Sequence, residues 1–232
     1  MPPFFMQMEI ASDRSLVVRF AESATGECFR AVAAFFRELR SLADSRIRNI
    51  HPAYATVLID FDPLRMSHEE LTAIAERLLS HSSDAAWTSR AVEIPVCYGG
   101  EFGVDLHFVA EHAGLSPQQV IELHSATRYL VHFLGFSPGF GYLGGLPKRL
   151  ECPRMESPRE NVRAGSLGIA GAQTGVYPVD SPGGWRIIGR TPMRMFDPLA
   201  ETPTRLVPGD TVRFLPIDPE AFADIAQAEG SR

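Results

Sequence analysis

At 232 residues and 45% hydrophobic content, the chain can hold one large domain or two small ones around a real core. A formal net charge of −6 argues against a nucleic-acid binder, which needs a clustered basic footprint. Only Lys148 among the 22 basic residues is a lysine, so no glycine-rich phosphate loop ending in GKS or GKT exists, and any ATP chemistry has to use another site or another subunit.

The N-terminus, MPPFFMQMEIASDRS, has no basic leader and reaches Glu9 before an apolar run is long enough for a signal peptide or a membrane span. MQMEI and SLVVRF alternate as two short strands, and a segment opening near Thr25 sets Phe29, Val32, Phe36 and Leu39 at helical spacing. YATVLIDF at 54–61 is a strand by its β-branched and aromatic content, and Ser67 with Glu70 has capping-box form ahead of a second helix through Leu71, Ile74 and Leu78. With AVEIPV as a candidate last strand, the order ββαβα suggests a small ferredoxin-like α/β domain over residues 1–85. HSSDAAWTSR, residues 81–90, lacks periodicity and reads as a linker.

Beyond it, Asp105 to His112 and Ser116 to His124 read as two short helices, the second with Ser116 as N-cap, Pro117 at its first position and Gln119 closing a capping box. YLVHFLGF, SLGIAG, GVYPV, WRIIGRT and DTVRFLPI follow as short apolar runs bounded by Gly or Pro, which favours a closed or nearly closed β-barrel over residues 91–220. Cys28, Cys97 and Cys152 are widely spaced with no CxxC pair, as in a reducing cytoplasm.

The chemistry concentrates between residues 133 and 192, where glycine, proline and aromatics crowd around a few polar groups. GFSPG matches the G-x-S-x-G pattern, but Pro138 follows Ser137 and has no N–H for an oxyanion hole, so a Ser137 nucleophile is disfavoured. His107, His112, His124 and His132 lack metal-ligand spacing, and no metal site is expected. His124 ends its helix, where it either caps the C-terminus as an imidazolium or faces a ligand. Gln173, Thr174 and Tyr177 in GAQTGVYP can read a polar small molecule, or else satisfy their own turn. Trp185 in SPGGW offers an indole wall beside the Arg190 fork of GRTP. Arg190 is either an anion ligand or a structural partner of Asp197 or Asp210. Arg154 and Arg159 are further anion candidates or solvated loop charges.

Taken in order, IPVCYGG, VIELH, FLGFSPGFGYLGGL, PRMESPRENVRAGS, GIAGAQTGVYP, SPGGW, IGRTP and VPGDTVRF resemble the family of 5-oxoprolinase B subunits, also called allophanate hydrolase subunit 1 or KipI-type proteins, from about Ile94 to Phe214. The resemblance implies an α+β N-terminal sandwich followed by a mainly β, cyclophilin-like barrel. It implies work with the A and C subunits of 5-oxoprolinase in a cytoplasmic complex that opens 5-oxo-L-proline to L-glutamate, releasing ADP and phosphate, with ATP required by the complex. Other branches imply an inhibitor docking on a sensor histidine kinase, or a urea- or amide-processing carboxyltransferase-type component. Carried over, the shared positions are His124, Pro138, Gly139, Arg159, Gln173, Thr174, Gly175, Tyr177, Pro178, Ser181, Gly184, Trp185, Arg190 and Thr191. Of these, Arg159, Arg190 and His124 are the catalytic candidates, and Gln173, Thr174, Tyr177, Ser181, Trp185 and Thr191 the substrate-binding ones. Arg163 stands where many relatives carry proline, and Ser137 and His132 fall where the family varies.

Overall fold

A computed structural model describes residues 7–22, 26–81 and 89–230, and the backbone divides into two compact units, Met1–Thr88 and Ser89–Arg232. The first unit runs β1 (Gln7–Ser12), β2 (Ser15–Arg19), α1 (Gly26–Ser41), β3 (Ile47–Pro52), β4 (Thr56–Phe61) and α2 (His68–His81). Its antiparallel sheet has the order β1-β2-β4-β3. Period-two alternation sends Leu16 and Val18 of β2 and Val57, Ile59 and Phe61 of β4 to one face, where they bury against Val32, Phe35 and Leu39 of α1 and Leu71 and Ala75 of α2.

Three expectations change here. The order is ββαββα, with β3 added to the ββαβα reading, and so differs from the βαββαβ of a ferredoxin-like unit. RIRNIHP holds too few apolar residues to announce a strand, yet charge suits β3, which lies at the sheet edge. On α1 the buried aromatics are Phe29, as expected, and Phe35, while Phe36 is half-buried at the margin of the stripe. AVEIPV is no part of this sheet. The expected linker core, residues 82–88, and the helix opening at Thr25 lie outside the described residues.

AVEIPV instead starts the second unit as β5 (Ala91–Tyr98), followed by α3 (Leu106–Ala113), α4 (Pro117–Ala126), β6 (Tyr129–Leu134) and β7 (Gly141–Gly144). Then come β8 (Arg159–Val162), β9 (Ser166–Ala170), β10 (Gln173–Val176), β11 (Ser181–Gly183), β12 (Arg186–Arg190), β13 (Thr211–Pro216) and α5 (Pro219–Gly230). Seven strands close a barrel in the order β10-β7-β6-β13-β5-β12-β9, and β8 and β11 form a separate two-stranded ribbon. The mainly β barrel read from the sequence is therefore present. Its interior is filled by Ile94, Val96, Val131, Leu143, Leu167, Ile169, Ile188, Val212 and Phe214.

β5 and β13 run parallel, with Thr211 opposite Ala91 through Pro216 opposite Val96. The buried Asp210 carboxylate fixes the start of that pair by holding the Arg90 guanidinium and the Val207 N–H. The Ser116 capping box forms in both directions, Ser116 Oγ accepting from the Gln119 N–H and Gln119 Oε1 from the Ser116 N–H. Helix α5 adds an element to the sequence reading. Asp218 caps it through the Ala221 N–H at 2.8 Å and Pro219 is its first residue. No helix among the described residues is long and apolar enough to cross a membrane.

Candidate functional site

The candidate residues fall into three groups, which differ in how their polar atoms are matched. The first lies inside the barrel. His124, in the last turn of α4, is fully buried against Tyr129 and Phe214, whose ring centroids are each 5.0 Å from its own. Thr174 Oγ1 gives its single proton to the Gly168 carbonyl at 2.9 Å. It therefore accepts from His124 Nε2–H at 3.1 Å, which leaves Nδ1 to accept from the Tyr98 hydroxyl at 2.9 Å.

Burial pushes the His124 pKa down to about 3, so the ring is neutral at pH 7. That corrects the expectation of a capping imidazolium, and Thr174, also fully buried, shares the closed core with it. The His132 ring on β6 is likewise pushed down, to about 4, by burial.

The second group stands outside the barrel core, where the β8–β11 ribbon meets the Gly135–Phe140 loop. Tyr177, Trp185 and Phe140 pack edge to face, with centroids 5.2 Å apart for Phe140 and Trp185 and 5.3 Å for Phe140 and Tyr177. Gly183 lets the chain pass here, because a methyl group on it would overlap the Tyr177 hydroxyl. Burial raises the Tyr177 pKa, outweighing the opposite pull of the Trp185 backbone hydrogen bond and of Arg154 and Arg159, so the phenol keeps its proton at neutral pH.

Arg159 leaves β8 toward this cluster. Its Nη2 donates to Asp105 Oδ1 at 2.8 Å and its Nη1 to Met155 Sδ at 2.8 Å, with about a quarter of the side chain exposed. The residue pattern presents Asp105 only as a helix start. It leaves α3 without a side-chain cap, and its second oxygen accepts the Ile187 N–H at 2.7 Å, so one buried carboxylate orients Arg159 and anchors β12. An aspartate directly before an apolar helix usually caps it, and that familiar signal hides the longer-range role. Ser181 belongs to the same ribbon, and its hydroxyl is shielded from solvent without a partner.

The third group is the turn at Arg163–Gly165. Arg190 Nε donates to the Ala164 carbonyl at 2.9 Å. Neither acid expected beside it is its partner, because Asp197 pairs with Arg194 and Asp210 with Arg90. Thr191 is buried, with its hydroxyl accepting the Met193 N–H at 3.2 Å, and Arg163 is exposed on the turn. Gln173 is half-buried at the start of β10, opposite Ala170.

The structure thus brings Tyr177, Ser181, Trp185 and Arg159 together, sets Arg190 and Thr191 at the neighbouring turn, and encloses His124 and Thr174 in the core. Ser137 has Pro138 after it, its hydroxyl is buried and unmatched, and the neutral His124 is engaged elsewhere, so no Ser–His pair forms. Two clefts lie apart from these residues. One of about 430 Å³ lies between Phe36, Leu39 and Arg40 of α1 and Ile47–Ile50 of β3, and one of about 290 Å³ is lined by Arg90, Arg194, Arg205 and Glu229.

A closed barrel with an arginine- and aromatic-lined margin is thus carried on the same chain as a small α+β unit. The family model described as carboxyltransferase domain, subdomain C and D, matches residues 6–206. The chain is 39% identical over 227 residues to the 5-oxoprolinase B subunit of Bacillus subtilis, covering 93% of this chain and 95% of that protein. Against the 5-oxoprolinase B subunit of Escherichia coli O157:H7, identity is 59% over 128 residues, 55% of this chain and 59% of that protein.

Among solved structures, that of TTHA0988 aligns with a TM-score of 0.80 and 38% identity over 88% of this chain, which spans 40% of that longer one. The Kluyveromyces lactis urea amidolyase aligns with a TM-score of 0.74 at 18% identity, over 97% of this chain and 15% of that one, a likeness of fold alone. The chain belongs to the carboxyltransferase C and D domain family, in its group of 5-oxoprolinase B subunits.

Proposed function

We propose that the chain is the B subunit of an ATP-dependent 5-oxoprolinase, acting in the cytoplasm with the A and C subunits to hydrolyse 5-oxo-L-proline to L-glutamate with release of ADP and phosphate. The observation that carries this reading is the match to the Bacillus subtilis B subunit along 93% of this chain and 95% of that one. A lactam amide is a poor electrophile, and ATP, held at the level of the complex, supplies its activation. This chain's residues supply binding and charge stabilisation.

In this reading Arg159, pre-aimed by Asp105, and Arg190 hold carboxylate or phosphate oxygens. The protonated Tyr177 donates to a developing oxyanion, Gln173 and Ser181 bind amide atoms, and Trp185 forms the wall. Thr174, Thr191 and His124 keep these elements in place from the core. None of the residues gathered at the margin is a free base, so the base that directs water comes from a partner subunit.

The test is 5-oxoproline-dependent release of ADP and glutamate by this chain alone, by the A and C subunits alone, and by the three mixed. Activity confined to the full mixture supports the reading. Silence with folded partners overturns it in favour of a carboxyltransferase-type component, the second reading that the family match favours. That reading is then tested by carboxyl transfer to urea or a small amide with a biotin-carrier chain present.

A further inference from the structure

The loop between β6 and β7 holds three costs at a single turn. Phe136 has a φ of +68°, and the Ser137 N–H donates back to the Gly135 carbonyl at 2.8 Å. This is the positive-φ form of the γ-turn, rare and strained, with a bulky side chain at its centre. The Phe136 ring is 63% exposed, and the next hydroxyl, Ser137 Oγ, is shielded from solvent without a hydrogen-bond partner.

The turn is not held loosely. The Gly135 N–H donates to the Phe140 carbonyl at 3.1 Å and the Phe140 N–H to the Ser137 carbonyl at 3.0 Å, while Gly139, at φ +85°, packs where Phe196 and Pro178 leave no room for a side chain. A well-anchored loop that keeps a strained aromatic in water is held for something that contacts the aromatic. The position of the ring says what. Phe136 meets Tyr177 edge-on at 6.2 Å and Phe140 at 5.6 Å, so it is the exposed end of the aromatic cluster that continues to Trp185, beside the donors described above.

Building on the 5-oxoprolinase reading, we propose that Phe136 is a specificity-determining residue for a small cyclic amide. Its ring covers the apolar methylene face of the five-membered lactam. The same relaxation of the turn that swings the ring frees the Ser137 hydroxyl, which shares the adjoining peptide, to hydrogen-bond the ring amide. Covering the ring removes its exposed surface, and the bonded hydroxyl is no longer unmatched, so both costs fall only when a ring-shaped ligand is present.

The experiment uses the assembled complex of this chain with the A and C subunits, 5-oxoproline as the probe, and Phe136→Ala, Phe136→Gly and Phe136→Tyr. Phe136→Ala and Phe136→Gly are expected to raise KM about tenfold with kcat within about threefold, and Phe136→Tyr to restore KM. Glycine fits φ +68°, so Phe136→Gly is also expected to melt no lower than the parent chain. A merely structural ring would instead show its loss in melting and leave KM alone.

Active complexes whose KM stays within about twofold in both truncations overturn the proposal and leave the function reading intact. Loss of co-elution with the A and C subunits, with KM unchanged in the complex that does form, overturns it by assigning the ring to a subunit contact. A parent complex with no 5-oxoproline-dependent ADP release overturns the function reading and, with it, the substrate assigned to Phe136.

Discussion

Thr174 and Tyr177 are three residues apart in one motif, yet they belong to regions built on opposite principles. Around Thr174 every proton has a destination, from the Tyr98 hydroxyl through His124 to the Gly168 carbonyl, and burial makes that chain costly to disturb. Around Tyr177 the Ser181 and Ser137 hydroxyls are unmatched, an aromatic is exposed, and an arginine is aimed by a carboxylate without being fully enclosed. Saturated polar networks specify a fold, whereas unsaturated ones are available to a ligand.

The contrast breaks first at the two arginines. Arg190→Ala is expected to abolish activity while the fold persists, because the bond from its Nε to the Ala164 carbonyl is on a surface turn. Arg159→Ala is expected to lower the activity of the assembled complex by about 10²–10³-fold at matched folded concentration, the scale of losing one donor aimed at developing charge. Steady-state ADP release with circular dichroism as the folding control checks both, and full activity in either variant removes that arginine from the site.

His124→Ala probes the other side. It opens a cavity and strands the Tyr98 and Thr174 hydroxyls, so stability should fall by about 3 kcal/mol, while activity per folded molecule holds. Urea unfolding checks it. A collapse of activity in well-folded protein would place His124 in the chemistry.

Acid should show the same division. His124 and His132 have native pKa values of about 3 and about 4, below the ordinary value of 6.5, so between those limits the unfolded chain binds protons that the native one refuses. Their effect is absent above the unfolded value, and stability falls as pH drops from about 6.5 toward 4. Urea midpoints across that window are expected to flatten in His124→Gln, and an unchanged slope would contradict the buried neutral ring. The smallest effect is expected for Tyr177→Phe, about a tenfold loss of activity with little change in melting, measured in the same complex.

Much of this organisation is legible in the residues alone wherever the signal is local. Both capping boxes, Ser67 with Glu70 and Ser116 with Gln119, form as the residue pattern requires, and the alternation of β4 gives its buried face directly. The polar edge strand β3 and the short helix α5 escape such a reading. The first is stabilised by its neighbour more than by its own composition, and the second packs through half-buried residues such as Phe222 on Phe102. At the site, glycine and proline density points to Tyr177, Trp185 and Ser181. It does not separate them from Thr174, whose enclosure depends on barrel closure between β10 and its two neighbours. Asp105 and Phe136 are hidden for a related reason, since a partner 54 residues away and a γ-turn conformation leave no residue pattern to read.

Strand β13 sits between β6 and β5, and its parallel pairing with β5 makes it the piece that joins the two halves of the barrel. During synthesis the ribosome delivers β5 early and β13 more than a hundred residues later, so until then the nascent sheet has two open edges lined with unpaired amides. A product cut after residue 206, where the family match ends, would contain almost every site residue discussed and still lack the strand that closes the barrel. Such a fragment should aggregate rather than bind, which makes the segment that carries β13, remote from the chemistry in sequence, the part on which a well-behaved product depends.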